Sequence, residues 1–348
     1  MRVLSLVGSA YEIGVEHGRQ LGELIQAYYS FNRILLQKIP KEVISSTLPQ
    51  VEEAVRRDYP NALEEMRGIA DGADLKYEDV LLMNFTSEFG RRAQSGCTAF
   101  ATARGATEKG KTIMGKTRDM RYQAYFPFQI ALNVQVSGKA HVFLAEAFVG
   151  RVVTGCGINE YGLGLILNVV NIKDFDDSVG IQRSLLARLI LEECKDVSEA
   201  IERFSRHILA YCGGSFLVCD TLGNCAVIEK SHAHQAVREP MEGIITATNH
   251  FVDPDMTKHM GWSSQSSPKR LDLISALIKP TVGKINVKLA KSFLRNHAHG
   301  LSRDSICRHD VNSVNTVSAY VADVTSKRVY IADGHPCKSR FQGYRLKN

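Results

Sequence analysis

The hydrophobic periodicity of the chain changes near residue 97, and that change limits the folds open to it. Before it, apolar residues recur at helical spacing. Ile13, Leu21, Leu24, Ile25, Tyr28 and Tyr29 predict a long helix over 10–39, ended by Pro40. Further helices are expected at 42–58 and at 60–71, the second with Pro60 in its first turn. After it, β-branched and aromatic runs predict strands at 128–136, 141–147, 151–156, 161–170, 215–219, 225–230, 243–248, 316–323 and 328–333. Helices return at 183–194, at 197–208 behind a cap at Asp196 or Ser198, and as a pair within 268–299. Two sets of strands with helices between them suit an α+β arrangement of sheets packed face to face and covered by helices.

At the change of character lies Ser95-Gly96-Cys97-Thr98-Ala99-Phe100-Ala101-Thr102-Ala103, followed by a Gly- and Lys-containing turn and Lys111-Thr112-Ile113-Met114-Gly115-Lys116-Thr117-Arg118-Asp119. The two β-prone runs read as a hairpin with Cys97 at its leading end. No histidine lies near Cys97 in sequence, so a Cys-His pair would need one brought in by the fold. Breaking the Gly96–Cys97 bond would instead give Cys97 an α-amino group of reference pKa ~7.7–8.0, beside a thiol of ~8.5. One residue would then hold both nucleophile and base, and glycine on the acyl side lets the thiol approach the preceding carbonyl. A buried small hydrophobe is the simpler reading of the same cysteine.

Asp119 ends the second strand and can approach the leading end of the first. A carboxylate there can hold an α-ammonium or orient a proton shuttle, and a cation such as Arg118 or Lys116 can favour the thiolate. Asn249 sits in Thr248-Asn249-His250-Phe251, directly after the apolar run 243–247, where a side-chain amide can stabilise the oxyanion of a tetrahedral intermediate or simply form a turn. Asn159, between two glycines, reads first as a turn residue.

Composition narrows the partners. The 348 residues are 44% hydrophobic and 23% charged, with a net charge of +6 spread along the chain. That pattern offers neither a nucleic-acid track nor a polybasic membrane patch. No apolar run approaches the ~20 residues of a membrane span, and the first residues lack the apolar stretch of a secretory signal, so a cytoplasmic location is the expectation. The eight cysteines are scattered without a C-x-x-C pair and read as reduced. His232-x-His234 and His297-x-His299 lack neighbouring ligands at zinc spacing, so no metal and no cofactor is expected.

Short motifs extend along the chain: Gly8-x-x-x-Glu12-x-Gly14-x-x-x-Gly18, Glu65-Met66-x-Gly68-Ile69-Ala70-x-Gly72-Ala73, Gly96-Cys97-Thr98, Thr117-Arg118-Asp119, Gly157-x-Asn159-Glu160-x-Gly162-Leu163, Thr248-Asn249-His250-Phe251, Ile306-Cys307-x-His309 and Gly334-x-Pro336-Cys337. In their order and spacing they resemble the acyl-CoA:6-aminopenicillanic acid acyltransferase family of N-terminal-nucleophile hydrolases. The resemblance implies a four-layer αββα sandwich and a precursor that cuts itself between Gly96 and Cys97. Segment 1–96 and segment 97–348 would remain associated as one domain. It implies Cys97 as nucleophile, Asp119 and Arg118 beside it and Asn249 at the oxyanion. Lys116 stands where related hydrolases carry an arginine. Asn159, Ser215 and Thr316 fall at positions linked to the pocket, to processing or to acyl-group handling.

The expected reaction is hydrolysis of the linear amide of a small N-acyl compound through an acyl-cysteine. An acyl-CoA-dependent N-acyltransferase with the same nucleophile is the alternative, and an unprocessed binding protein of the same fold is a third. No Gly-rich phosphate loop is present to hold a CoA pyrophosphate, which favours hydrolysis. The expected partners are the small N-acyl substrate or an acyl-CoA, the cleaved fragment as a heterodimer and, optionally, further copies of the chain, with neither nucleic acid nor membrane.

Overall fold

Small residues alternate with larger ones along Ser95–Thr102, and the two faces of that strand enter different cores. The computed structural model describes residues 1–89, 95–121, 127–138, 140–176, 179–309 and 314–346. The first part holds strand β1 (Arg2–Gly8) and helices α1 (Ala10–Leu36), α2 (Lys41–Asp58), α3 (Pro60–Ala73) and α4 (Tyr77–Phe89). The hairpin β2 (Ser95–Thr102) and β3 (Ile113–Met120) follows. Then come β4 (Gln129–Val136), β5 (Phe143–Phe148), β6 (Cys156–Asn159), β7 (Gly164–Val170), α5 (Arg183–Glu193) and α6 (Val197–Ser205). β8 (Gly213–Cys219), β9 (Cys225–Lys230), β10 (Gln235–Arg238) and β11 (Ile244–Ala247) lead into α7 (Pro254–Thr257), α8 (Ser266–Ile278) and α9 (Val287–Phe293). The chain closes with β12 (Asn315–Asp323), β13 (Arg328–Asp333) and β14 (Phe341–Arg345).

The strands form an eight-stranded sheet ordered β1-β4-β5-β6-β7-β8-β9-β10 and a six-stranded sheet ordered β11-β2-β3-β12-β13-β14. All named pairs are antiparallel except β1 with β4, which is parallel. Three cores separate four layers. Residues of α1 to α6, such as Ile25, Met66, Val80, Leu189 and Leu191, pack on the large sheet's Leu132, Leu165 and Phe216. Between the sheets lie Ala99, Ala101, Met114, Ile158 and Leu217. Phe100, Ile113 and Val321 of the smaller sheet meet Ile274 and Phe293 of α8 and α9. This is the αββα sandwich expected, with helices outside and two sheets facing each other.

The glycines of the first motifs have a structural use. α1 crosses α3 so closely that a Cβ on Gly14 would lie 2.1 Å from the Glu65 carbonyl oxygen, and one on Gly68 would lie 2.1 Å from that of Tyr11. In the same layer Glu65 is buried and paired with Arg188 of α5, which also meets Glu192 at 2.8 Å and the Val152 carbonyl at 3.0 Å. Burial raises the Glu65 carboxyl and Arg188 opposes that rise.

Several boundaries differ from the sequence expectation. β1, β10 and β14 were not anticipated, and each is short or at a sheet edge. The apolar run at 151–156 is extended but mostly outside the sheet. The Val152 N–H bonds Asn84 Oδ1 of α4 and the Thr154 N–H bonds the Ser184 carbonyl, so β6 starts only at Cys156. Among the described residues no helix is long and apolar enough to cross a membrane.

Candidate active site

β2 and β3 pair with Gly96 opposite Asp119 and Cys97 opposite Arg118. Side chains alternate across a strand, so the two pairs face different ways. Cys97 shares its face with Ala99 and Ala101 and looks into the space between the sheets, together with Lys116 and Arg118. Thr98 and Asp119 look towards α8. Cys97 itself is 4% exposed.

On the intersheet side, Arg118 pairs with Glu146 of β5 at 3.3 Å. Burial works against the Arg118 charge, but Glu146, Cys156 and Cys97 outweigh it and raise the guanidinium. Glu146 also accepts from Ser318 Oγ and Cys156 Sγ. Lys116 Nζ donates to the carbonyls of Gly155 and Leu167. Of the two cations, Arg118 stands directly across from the thiol, and Lys116 is committed to backbone.

On the α8 side, Asp119 is fully buried and holds two partners. Thr316 Oγ1 of β12 donates to its Oδ1 at 2.7 Å, and Arg308 Nη1 lies 3.4 Å from its Oδ2. A register shift between Thr316 and Ser318 accompanies the divergence of these side chains, Thr316 to Asp119 and Ser318 to Glu146. Gly96 leaves room for this group: a Cβ there would lie 2.3 Å from Arg308 Nη1 and 3.0 Å from Asp119 Oδ2. Asp119 thus lies beside the acyl side of the Gly96–Cys97 bond, across the sheet from the thiol.

Asn249 follows β11 and approaches the other side of that bond. Its Oδ1 accepts the Cys97 N–H at 2.7 Å and Arg270 Nη2 at 3.0 Å, and its Nδ2 donates to the Val169 carbonyl at 3.0 Å. Arg270 Nη1 donates to the Cys97 carbonyl at 2.5 Å and to Thr98 Oγ1 at 2.8 Å. Burial, and then the like charge of Arg308, lowers Arg270 to about 10, so it stays a cation at neutral pH. An amide nitrogen has two N–H donors, which leaves Asn249 one beyond its bond to Val169.

The structure therefore gathers Cys97, Arg118, Asp119, Asn249 and Thr316, with Lys116 alongside. Asn159 is elsewhere. Its Nδ2 donates to the Leu191 and Cys194 carbonyls and its Oδ1 accepts from the N–H groups of Tyr161 and Leu163. It closes the β6–β7 turn, at the opposite end of β7 from Val169, about 17–20 Å along the strand at ~3.3 Å per residue. Ser215 faces the intersheet space opposite Asn168, and its buried Oγ makes no hydrogen bond among the described residues.

Sequence reasoning passed over Arg270 and Arg308. Arg270 had a signal: it shares four-residue spacing with Ile274 and Ile278 and is buried as they are. Arg308 had none, because it follows a segment without regular structure. The histidine pairs also divide: His299 is exposed, whereas His297 is half-buried in a group with Cys307, His309 and Cys337.

Residues 106–337 match the family described as acyl-coenzyme A:6-aminopenicillanic acid acyl-transferase. The chain belongs to this family. An uncharacterized protein of Archaeoglobus fulgidus is 24% identical over 84% of this chain and 57% of its own length. The acyl-coenzyme A:6-aminopenicillanic-acid-acyltransferase 40 kDa form of Emericella nidulans is 26% identical, over 56% of this chain and 54% of that protein. The beta-alanyl-dopamine/carcinine hydrolase of Drosophila melanogaster is 22% identical over 49% of this chain and 48% of that protein. The chain spans about half the length of these relatives. Among solved structures, a penicillin V acylase from Agrobacterium tumefaciens is 14% identical, with a TM-score of 0.49, covering 72% of this chain and 86% of that one. By their names, the Emericella relative is an acyltransferase and the Drosophila relative a hydrolase.

Proposed function

We propose that the chain is a self-processing amidohydrolase whose nucleophile is Cys97, freed by a cut after Gly96. The observation that carries this reading is the bond from the Cys97 N–H to Asn249 Oδ1, made across 152 residues of sequence. It aims a polar side chain at the one backbone nitrogen that the cut would turn into an amine.

In the first reaction the Cys97 thiol attacks the Gly96 carbonyl and the amide nitrogen leaves as the Cys97 amine, giving a thioester. Water then releases the Gly96 carboxylate and the thiol. In the second, the thiol attacks the carbonyl of an N-acyl substrate, its proton passing to the α-amine and on to the leaving amine. Asn249 Nδ2 donates to the oxyanion, Arg118 sets a positive charge across the strand pair from Cys97, and water resolves the acyl-cysteine. Asp119, clamped by Arg308 and Thr316, fixes the strand end from which the new amine projects.

The intact masses of wild type and Cys97→Ala under denaturing conditions test this. Fragments 1–96 and 97–348 from wild type, beside one full-length mutant chain, are expected. A folded but uncut wild-type chain would overturn it.

The name of the Emericella relative favours a second reading, transfer of the acyl group from a CoA thioester to an amine. The same acyl-cysteine serves both, and product analysis with and without an added amine separates them.

A further inference from the structure

Two motifs from the sequence, Ile306-Cys307-x-His309 and Gly334-x-Pro336-Cys337, carry cysteines and a histidine that play no part in the chemistry above. The fold brings their cysteines and histidine to His297, which follows α9. One potential ligand atom from each of His297, Cys307, His309 and Cys337 lies within 4.8 Å of the other three. His309 Nε2 is 3.4 Å from Cys307 Sγ and 3.3 Å from Cys337 Sγ. A tetrahedral zinc with Zn–S of ~2.3 Å and Zn–N of ~2.0–2.1 Å has S···N edges of about 3.5 Å, close to both distances. His297 Nε2 is buried with no hydrogen-bond partner among the described residues, and its ring centroid is 5.0 Å from that of His309.

Two hydrogen bonds hold the three contributing segments in place. The Cys307 N–H bonds the Asn296 carbonyl at 3.1 Å, and Arg295 Nε bonds the Pro336 carbonyl at 2.8 Å. Residues adjoining His297 are thereby tied to Cys307 on one side and to the segment bearing Cys337 on the other.

We propose that His297, Cys307, His309 and Cys337 form a structural zinc site of the Cys2His2 type. Thiolate and imidazole together select zinc over magnesium, calcium or manganese, and four protein ligands leave no open position for a reacting water. Arg308 lies between two of the ligands, so the metal fixes the backbone on both sides of the residue that meets Asp119. That coupling rests on the hydrolase reading. Occupancy of the site does not.

The test is metal analysis of the full-length protein, purified without chelator and without a histidine tag. The expected result is about one zinc per chain, falling at least about five-fold in Cys307→Ser and Cys337→Ser. Cys337 is exposed, so its variant keeps the test open if Cys307→Ser does not fold. Chelator-stripped wild type given Co2+ alone should show the visible bands of tetrahedral thiolate-bound cobalt, and Cys337→Ser should not. Cys97→Ala should hold the same zinc as wild type whether or not wild type is cut, which separates this site from the fate of the nucleophile. Wild type that lacks stoichiometric zinc and gives no cobalt bands, or whose mass shows a Cys307–Cys337 disulfide, overturns the proposal.

Discussion

Cys97 and Asn249 are joined by a single 2.7 Å hydrogen bond between the backbone N–H of one and the side-chain oxygen of the other. Arg270 reaches both residues, bonding the Cys97 carbonyl with one nitrogen and Asn249 Oδ1 with another. The amide is therefore oriented before any substrate arrives, and its orientation depends on a cation buried in α8.

Asn249→Ala removes the proposed oxyanion donor and leaves Arg270 one partner short. Loss of such a donor costs roughly 10²–10³ in kcat, about 2.7–4 kcal/mol. Steady-state hydrolysis of the best amide substrate, counted per mole of processed protein, checks this. A variant within about three-fold of wild type would place the oxyanion elsewhere.

Gly96→Ala sets a methyl group 2.3 Å from Arg308 Nη1. The obstacle is the far end of a flexible side chain, so the chain should still fold, with Arg308 displaced from Asp119. Self-cleavage followed by mass is expected to slow at least ~10-fold, equivalent to ~1.4 kcal/mol. Cleavage at the wild-type rate would show that the Arg308–Asp119 contact has no bearing on it.

Gly68→Ala tests the helical layer. Its methyl group would lie 2.1 Å from the Tyr11 carbonyl and 2.7 Å from the Val15 nitrogen, both backbone atoms that cannot swing aside. Forcing α1 from α3 should cost about 3 kcal/mol, the upper part of the usual overpacking range. Gly105→Ala, with nothing within 4 Å of its added carbon, is the matched control. Equal unfolding temperatures for the two variants would refute the close helix crossing.

Acid should destabilise the fold through His17. Burial, aided by the charge of Arg188, pushes its imidazole down to about 3, and its Nε2 accepts the Gly150 N–H. The unfolded chain takes up this proton near pH ~6.5 and the native state does not. The unfolded state therefore binds more protons between about pH 3 and pH 6.5, and stability falls as pH falls through that window by ~1.4 kcal/mol per unit. Urea unfolding at pH 7.5 and pH 5, compared with His17→Gln, isolates the effect. A variant with the same pH slope as wild type would contradict it.

The hairpin carrying Cys97 and Asp119 was legible because both strands alternate and are bounded by glycines, and its residues fell where expected. Most other strands were readable for the same reason. What escaped was nonlocal. β1 has only Leu4 and Leu6 as buried apolar markers and pairs with β4 more than a hundred residues away. The run at 151–156 looked like a strand by composition, but its hydrogen bonds go to Asn84 and Ser184. Side-chain direction was the main limit within the site. The sequence put Asp119 near Cys97, but only the register puts them on opposite faces. Arg308 reaches Asp119 from 189 residues away, which no local pattern could disclose.

The pairing of β1 with β4 gives the proposed cut an unusual outcome. Arg2–Gly8 runs alongside Ile130–Val136 in continuous register, so the two products of a break after Gly96 would be woven into one hydrogen-bonded sheet. Removing the smaller product would bare the edge of β4 and the apolar face beneath α1 to α4, an invitation to aggregate. Scission here would act like opening a clasp on a garment already stitched together: it frees an end without freeing a piece. The amine at Cys97 would then be as rigidly held as any interior residue, although it is a chain terminus.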